Sequence, residues 1–386
     1  MLSHRLCLLL AASAPLLAAP LAARAAPFMI VGDDEKLLWD EHGGNVLKPT
    51  GKDNVLIVDL AEPENPRIIA NLPLENSVVG PPTNVAITPG NSLGLVADSV
   101  TVIDEGGKPK QVPTDKLFVI DLKANPPHLG QTLTVGKQPS GLAINPAGDL
   151  ALVADRAGDA LSVLRIEGQH VTDAGQVPMG GSVAAVEFTP DGKHALVAKT
   201  PANRVSLLAV DGTTLREVAA FPTYLMPYNL GVTPNGQLAL TADNGISDGS
   251  VDVVSVIDLA AQPPRVTDRI AVANGPEGLA VSPKGDVAVV ASVDGSNKFG
   301  SWFYHKNGVI TVLRINGAKV SPGKVIEVGA VPEAMGFTPD GAYLYVGNYL
   351  DQDFWIFRVN GTELTDTGKR FKVPGHPASA RISPRS

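Results

Sequence analysis

The sequence predicts an all-β fold: a seven-bladed β-propeller of four-stranded antiparallel blades, its ring closed by pairing of the N- and C-terminal strands. Three observations predict it: a turn repeated at near-constant spacing, the absence of any long stretch free of helix breakers, and a last copy of the turn at the very end of the chain. Of 386 residues, 39 are Gly and 32 are Pro, about 18% against roughly 12% in average usage. These residues weaken a helix interior by about 1 and 3 kcal/mol each. With 44% apolar and 18% charged residues, the chain is also too apolar and too weakly charged for disorder.

The repeated unit is Thr88-Pro89-Gly90, Asn145-Pro146-Ala147-Gly148, Thr189-Pro190-Asp191-Gly192, Thr233-Pro234-Asn235-Gly236, Ser282-Pro283-Lys284-Gly285 and Thr338-Pro339-Asp340-Gly341, with Ser383-Pro384 as a truncated copy. Proline at the second turn position followed by Asp or Asn and Gly is type I turn chemistry. The prolines lie 44 to 57 residues apart, the length of four short strands with tight turns, as in a propeller blade. A short apolar run such as Leu142–Ile144 precedes each turn, another such as Ala151–Ala154 follows, and a β-branched run such as Val253–Ile257 comes third. Residues 28–31, 54–60 and 67–72 form three strands with no turn motif before them, so residues 378–383 are expected to supply their missing innermost strand. That closure leaves no open sheet edge in the ring.

Ahead of the repeats, Arg5 is followed by an apolar run from Leu6 to Ala23 and by Ala23-Arg24-Ala25, the pattern of a signal peptide cleaved before Ala26. The expected organisation is therefore a signal peptide over 1–25 and one propeller domain over 26–386, located in the periplasm or secreted, with no stable membrane anchor. Cleavage removes the only cysteine, Cys7, and with it any disulfide, thiol nucleophile or C-x-x-C-H haem site. It leaves 29 basic against 39 acidic residues, so no nucleic-acid partner is expected. A monomer is the expected state.

Tyr345-Val346-Gly347-Asn348 is close to the tetrapeptide that names the YVTN β-propeller repeat family, and Val135-Gly136-Lys137-Gln138-Pro139-Ser140-Gly141-Leu142-Ala143-Ile144-Asn145-Pro146 resembles that family's repeat opening. The resemblance spans nearly all of the mature chain and implies the propeller fold. The WD repeat does not fit, because Trp39-Asp40 is the single Trp-Asp dipeptide. Related lactonase propellers, the 6-phosphogluconolactonase and muconate-cyclase group, often carry Arg-His before the turn strand. The equivalent pairs here are Glu277-Gly278, Glu333-Ala334 and Ser140-Gly141.

In each repeat the Pro-Gly turn joins the first two strands at one face of the disc, so the start of strand one and the end of strand two meet at the opposite face. Repeat alignment places Thr83, Asn84, Ser140, Tyr228, Asn229, Glu277, Glu333 and Ser379 at strand-one starts. It places Asp33, Asp98, Asp155, Lys199, Asp243, Ser292 and Asn348 at strand-two ends. The insertions 33–53, 99–115, 244–251 and 294–308 all leave from that face, which marks it as the expected binding face. Ligand contacts are accordingly expected at Asn84, Ser140, Asp155, Lys199, Tyr228, Asn229 and Asp243, and at Trp302 and Tyr304 in the aromatic loop 298–306. Exposed aromatics beside polar groups suit a sugar, a ring or a protein partner; the alternative for Trp302 and Phe303 is a hydrophobic lid.

Two functions stay open. The first is a periplasmic binding protein for a small molecule or a protein partner. The second is a lactonase-type hydrolase or isomerase acting on a sugar or aromatic lactone, with Glu277 or Glu333 positioning water or a metal and His305 or His376 as base. No cofactor is predicted and no metal site is assigned, although a divalent cation such as calcium remains open for the acidic positions. The Gly245-Ile246-Ser247-Asp248-Gly249 string lies in a strand-to-strand insertion and not in the strand-to-helix turn that a nucleophile elbow requires. No P-loop or dinucleotide fingerprint occurs.

Overall fold

Seven four-stranded antiparallel sheets surround a central axis in the computed structural model, which describes residues 27–384; the expected export segment lies outside them. Blade 1 is built from Pro377–Ile382 innermost, then Phe28–Asp33, Asn54–Asp59 and Arg67–Leu72. The later blades begin with the inner strands Val85–Ile87, Pro139–Ile144, Val186–Phe188, Pro227–Val232, Pro276–Val281 and Pro332–Phe337 and run outward in sequence order. The seam is an antiparallel pairing of Met29 with Ile382, Ile30 with Arg381 and Val31 with Ala380. Phe28 and Ser383 lock its end: Phe28 N donates to Ser383 Oγ at 2.8 Å and Ser383 N to Phe28 O at 2.9 Å.

The second strand of a blade is sandwiched between two neighbours, which explains its continuous apolar run. Met29 and Val31 pack with Tyr345 and Ile356 of blade 7, while Ile30, between them, packs with Val85 and Val96 of blade 2. Alternation along the strand thus assigns residues to opposite interfaces instead of to core and solvent. The outermost strands lack a covering sheet and read as polar; Arg67–Leu72 is mostly exposed.

The repeated turn seals each sheet and also joins it to the next. In the seventh-blade copy Thr338 Oγ1 donates to Asp340 Oδ1 at 2.6 Å and accepts from Tyr343 N at 3.0 Å, and Gly341 adopts φ +64°. Five of the six turn glycines also lie on the proline of the preceding turn, whereas Gly90 faces open space. A Cβ at Gly148 would stand 3.1 Å from Pro89 Cδ, one at Gly285 3.3 Å from Pro234 Cδ, and one at Gly341 3.2 Å from Pro283 Cγ. The prolines and glycines therefore recur at one period because they pack on one another around the disc.

The Tyr345–Asn348 tetrapeptide does mechanical work of the same kind. Buried Tyr345 donates its hydroxyl to Pro63 O at 2.6 Å, bridging blade 7 to blade 1. Asn348 accepts from Gly329 N at 2.9 Å and donates to Asp353 Oδ1 at 2.9 Å, fixing the chain as it enters the inner strand.

On the opposite face the four insertions touch one another. Residues 33–53 contain a hairpin, Leu37–Trp39 with Asn45–Leu47, and residues 99–115 extend the blade 2 strands into a long ribbon, Leu93–Asp104 with Pro109–Asp121. The first hairpin meets the blade 6 insertion, since Gly43 lies against Asn297–Phe299; that insertion meets the blade 5 loop, since Phe303 lies against Gly249.

If the seam carries the ring, Ile382→Ala, which empties a buried site between blades 1 and 7, should cost about 2–5 kcal/mol in urea unfolding. Ile69→Ala, on the exposed outer edge, should cost no more than about 0.5 kcal/mol.

Candidate functional site

The connection between blades 1 and 2 turns inward and fills part of the channel at the loop-rich mouth. Residues 76–78 and 80–84 are buried, and Gly80 reaches blade 3, where a Cβ would overlap Ser140 Oγ and stand 3.6 Å from Arg156 Nη1. Buried polar contacts hold this plug. Asn84 donates to Asn76 Oδ1 at 2.5 Å and to Ala97 O at 2.9 Å. Asp34 accepts from Val78 N at 2.7 Å, and Asp53 accepts from Asn76 N at 3.0 Å. The fully buried Lys36 ammonium pairs with Asp53, donates to Asn76 O, and lies 3.6 Å from Asp34 and 3.5 Å from Glu75. Above it an apolar cluster of Leu37, Val78, Val293, Val331 and Tyr349 caps blades 1, 6 and 7. The Tyr349 hydroxyl lies 2.6 Å from Leu37 O and 3.0 Å from Asp34 O.

On the side of blades 3 to 7 several charged and polar groups converge beside the plug. Tyr228, Arg156, Asn244, Glu277 and Lys298 are half-buried there, and Glu333 is buried behind them. The Arg156 guanidinium lies 5.8 Å from the centre of the Tyr228 ring. Asn244 donates to Glu277 Oε1 at 3.1 Å, and Asn229 holds the same residue's backbone by donating to Glu277 O at 2.9 Å. Burial raises the Glu277 carboxyl to about 7 against the opposing pull of Asn244, Arg156 and Lys298. Burial and then the neighbouring Glu277 push Glu333 well above the usual carboxylate range, and its Oε2 has no hydrogen-bond partner. Burial and the same carboxylates push the Tyr228 phenol up, Arg156 opposing. The repulsion between these two carboxyls, added to burial, favours a state in which Glu333 retains its proton, beside two cations and an un-ionised phenol.

The remaining expected positions divide among other environments. Asp155 accepts from Ser162 Oγ at 2.8 Å, Asp243 from Ser255 Oγ at 2.5 Å and from Tyr224 N at 3.0 Å, and Lys199 donates to Met179 O at 2.5 Å. These contacts lie within blades, between strands and the segments entering them. Ser140 is fully buried beneath Gly80. His376 stacks on Tyr349 at 4.9 Å and its Nδ1 lies 2.8 Å from Tyr349 O, inside the cap. His305 Nδ1 lies 2.8 Å from Asp294 O on the exposed blade 6 loop. Trp302 is 85% exposed and so does not fold down as a lid, and Tyr304 packs on Phe299 at 5.2 Å. Among the described residues no group of three or more His, Cys, Asp or Glu side chains is arranged to hold a metal ion. Asp33, Asp34 and Glu35 diverge: Asp34 serves the plug while Asp33 lies buried against Gly375.

Arg156, Asn244 and Lys298 join the site without having been singled out as ligand positions. Each stands one residue or more beyond a strand end, so repeat alignment does not reach it; only their position on the face of the insertions marked them.

No protein-family model matches the chain, and no curated protein matches it. Solved structures do. A provisionally assigned 6-phosphogluconolactonase from Bacteroides fragilis superposes with a TM-score of 0.70 at 16% identity, covering 94% of this chain and 99% of that one. The periplasmic gluconolactonase of Pseudomonas aeruginosa gives 0.65 at 15% identity, covering 93% and 99%. A functionally unknown protein from Desulfotomaculum acetoxidans gives 0.67 at 14%, covering 93% and 99%. At such identities the likeness establishes the propeller fold alone.

The carboxyls aligned at strand-two ends have a consequence for stability. Burial raises Asp33, Asp98, Asp155 and Asp243 from the usual 3.8 to about 7 each. The folded state then binds more protons than the unfolded state between pH 4 and 7, so stability falls as pH rises through that window. The melting temperature should drop by about 3 °C or more between pH 5 and pH 7.5, and Asp98→Asn together with Asp155→Asn should flatten that slope in a calorimetric pH series.

Proposed function

We propose that this chain is an exported YVTN-type propeller that binds a small polyhydroxylated ligand, a sugar acid as its anion or the corresponding neutral lactone, at the opening beside the plug. The observation that carries the reading is the convergence of Arg156 and Lys298 with Glu277, Asn244 and Tyr228. A carboxylate on the ligand suits the two cations, the guanidinium offering paired donors. Ligand hydroxyls suit the carboxyl oxygens of Glu277, the Asn244 amide and the Tyr228 phenol, which donate and accept in a shielded setting. Export rests on the sequence pattern of residues 1–25, and no helix among the described residues is long and apolar enough to cross a membrane. The structural neighbours described as gluconolactonases support this class of ligand.

A second reading, lactone opening, is favoured by the Glu277 carboxyl at about 7, the range in which a general base works near neutral pH. Glu277 would take a proton from water as its oxygen bonds to the lactone carbonyl carbon. The acyl C–O bond would then break, and the proton would pass to the departing alkoxide. Arg156 would stabilise charge on the carbonyl oxygen.

Calorimetric titration with gluconate and with the corresponding lactone tests the binding reading. Arg156→Ala should weaken gluconate at least tenfold, about 1.4 kcal/mol; no binding by the wild-type chain would overturn the ligand class. For the second reading, lactone consumption should fall at least a hundredfold in Glu277→Gln with the melting temperature nearly unchanged. Full activity in that variant would remove Glu277 from the chemistry and leave binding standing.

A further inference from the structure

The other mouth of the channel, ringed by the Pro-Gly turns, carries chemistry of its own. Two adjoining cavities open there, of about 330 Å³ and 250 Å³, and both are lined by Glu187 of blade 4 and Arg381 of the closing strand in blade 1. Together they are large enough for a small ligand. All other lining residues are uncharged, mainly prolines and apolar side chains such as Ile144, Val232 and Ile382. Among the described residues that line these two cavities, Glu187 and Arg381 are thus the one acid and the one base.

They do not satisfy each other. The two side chains make no ion pair within 4.0 Å, although Arg381 lies near enough for its charge to act on Glu187. Arg381 donates from Nε to Val85 O at 3.3 Å, which orients the guanidinium and leaves its terminal nitrogens for another acceptor. Burial pushes the Glu187 carboxyl up, only partly offset by Arg381. A half-buried acid and a half-buried base that face one cavity from opposite blades, in an apolar rim, are each short of a counter-charge. Bringing in the missing partners of both stabilises both, whereas a ligand with one charge leaves the other group desolvated and unpaired.

We propose that the turn-side mouth is a second binding site, for a small zwitterion with an apolar body, of which an α-amino acid with an aliphatic side chain is the simplest form. Its carboxylate pairs with Arg381, its ammonium with Glu187, and its side chain lies on the Ile144–Val232–Ile382 wall. The site is separate from the opening beside the plug and does not depend on what binds there.

Titration of the full chain with leucine at pH 8 tests the assignment, with 4-methylpentanoate and isoamylamine as probes that each keep one of the two charges. Leucine is expected to bind, and each single-charge analogue to bind at least tenfold more weakly. In Glu187→Gln, leucine affinity should fall at least tenfold and approach that of 4-methylpentanoate; in Arg381→Gln it should approach that of isoamylamine. Because Arg381 also holds Val85, Arg381→Lys provides a second variant that keeps the charge and should retain part of the affinity. Saturating gluconate should not displace leucine. No leucine binding, equal binding of the single-charge analogues, or unchanged affinity in Glu187→Gln would each overturn the proposal.

Discussion

Pairing of the last strand with the first is the constraint on which the remainder of the molecule rests. Each blade buries both faces against neighbours, so the structure has no blade that is stable by itself. A ring left open would expose one apolar sheet face at each end, and the unpaired inner edge of Phe28–Asp33 would face the channel. The seam removes both faults with one strand, and it carries Arg381 to the channel wall beside Ile382. The closing segment therefore determines the geometry of the turn-side mouth as well as the integrity of the disc.

The two mouths differ because the chain treats them differently. At the turn face successive units meet through short Pro-Gly contacts, which leave no length of chain to cover the channel. At the other face the connectors are free to lengthen, and one of them, residues 74–84, folds inward. A backbone segment inside a channel must have its polar groups satisfied. Asp34, Asp53 and Asn84 provide partners to the backbone or side chains of that segment, and Lys36 balances the carboxylates. The acidic string that begins the first insertion thus has a structural task, and the buried lysine within it is the counter-ion that makes the arrangement tolerable.

The architecture was legible because its determinants are periodic. Pro89, Pro146, Pro190, Pro234, Pro283 and Pro339 set the blade count with Pro384, and the orphan strands read over 28–31, 54–60 and 67–72 implied the closing strand. The candidate site was legible only in part. Tyr228, Glu277 and Glu333 stand at strand-one starts, where alignment found them; Asn229, beside Tyr228, turns out to hold the Glu277 backbone. Asp155, Lys199 and Asp243 were found by the same alignment, yet they bond within their blades, because a repeated position reports first on what every blade needs. Arg156, Asn244 and Lys298 belong to segments that differ from blade to blade. Their convergence depends on where irregular backbone runs, and no period encodes that. Glu187 and Arg381 were missed for a related reason: each is a single charged residue within an apolar inner strand, and nothing local indicates that blades 1 and 4 present them to the same cavity.

That last point bears on how a repeat scaffold acquires function. Symmetric positions in seven blades give a ring of equivalent groups around the axis, and equivalence suits mechanical tasks such as the Thr-Pro-Asp-Gly turn or the strand-end clamp. Recognition needs an asymmetric set, a cation here and a carboxyl there, so it must arise where one blade breaks the pattern. Glu277 and Glu333 replace small residues that occupy the matching places in other blades, such as Ser140 in blade 3 and Ala184 in blade 4. Glu187 and Arg381 interrupt inner strands that elsewhere carry Ala, Gly or Val. In both mouths the acidic exceptions, Glu277, Glu333 and Glu187, are desolvated by the regular residues around them, which raises their carboxyls. The regular part of the sequence supplies the low-dielectric setting, and the departures from it supply the chemistry.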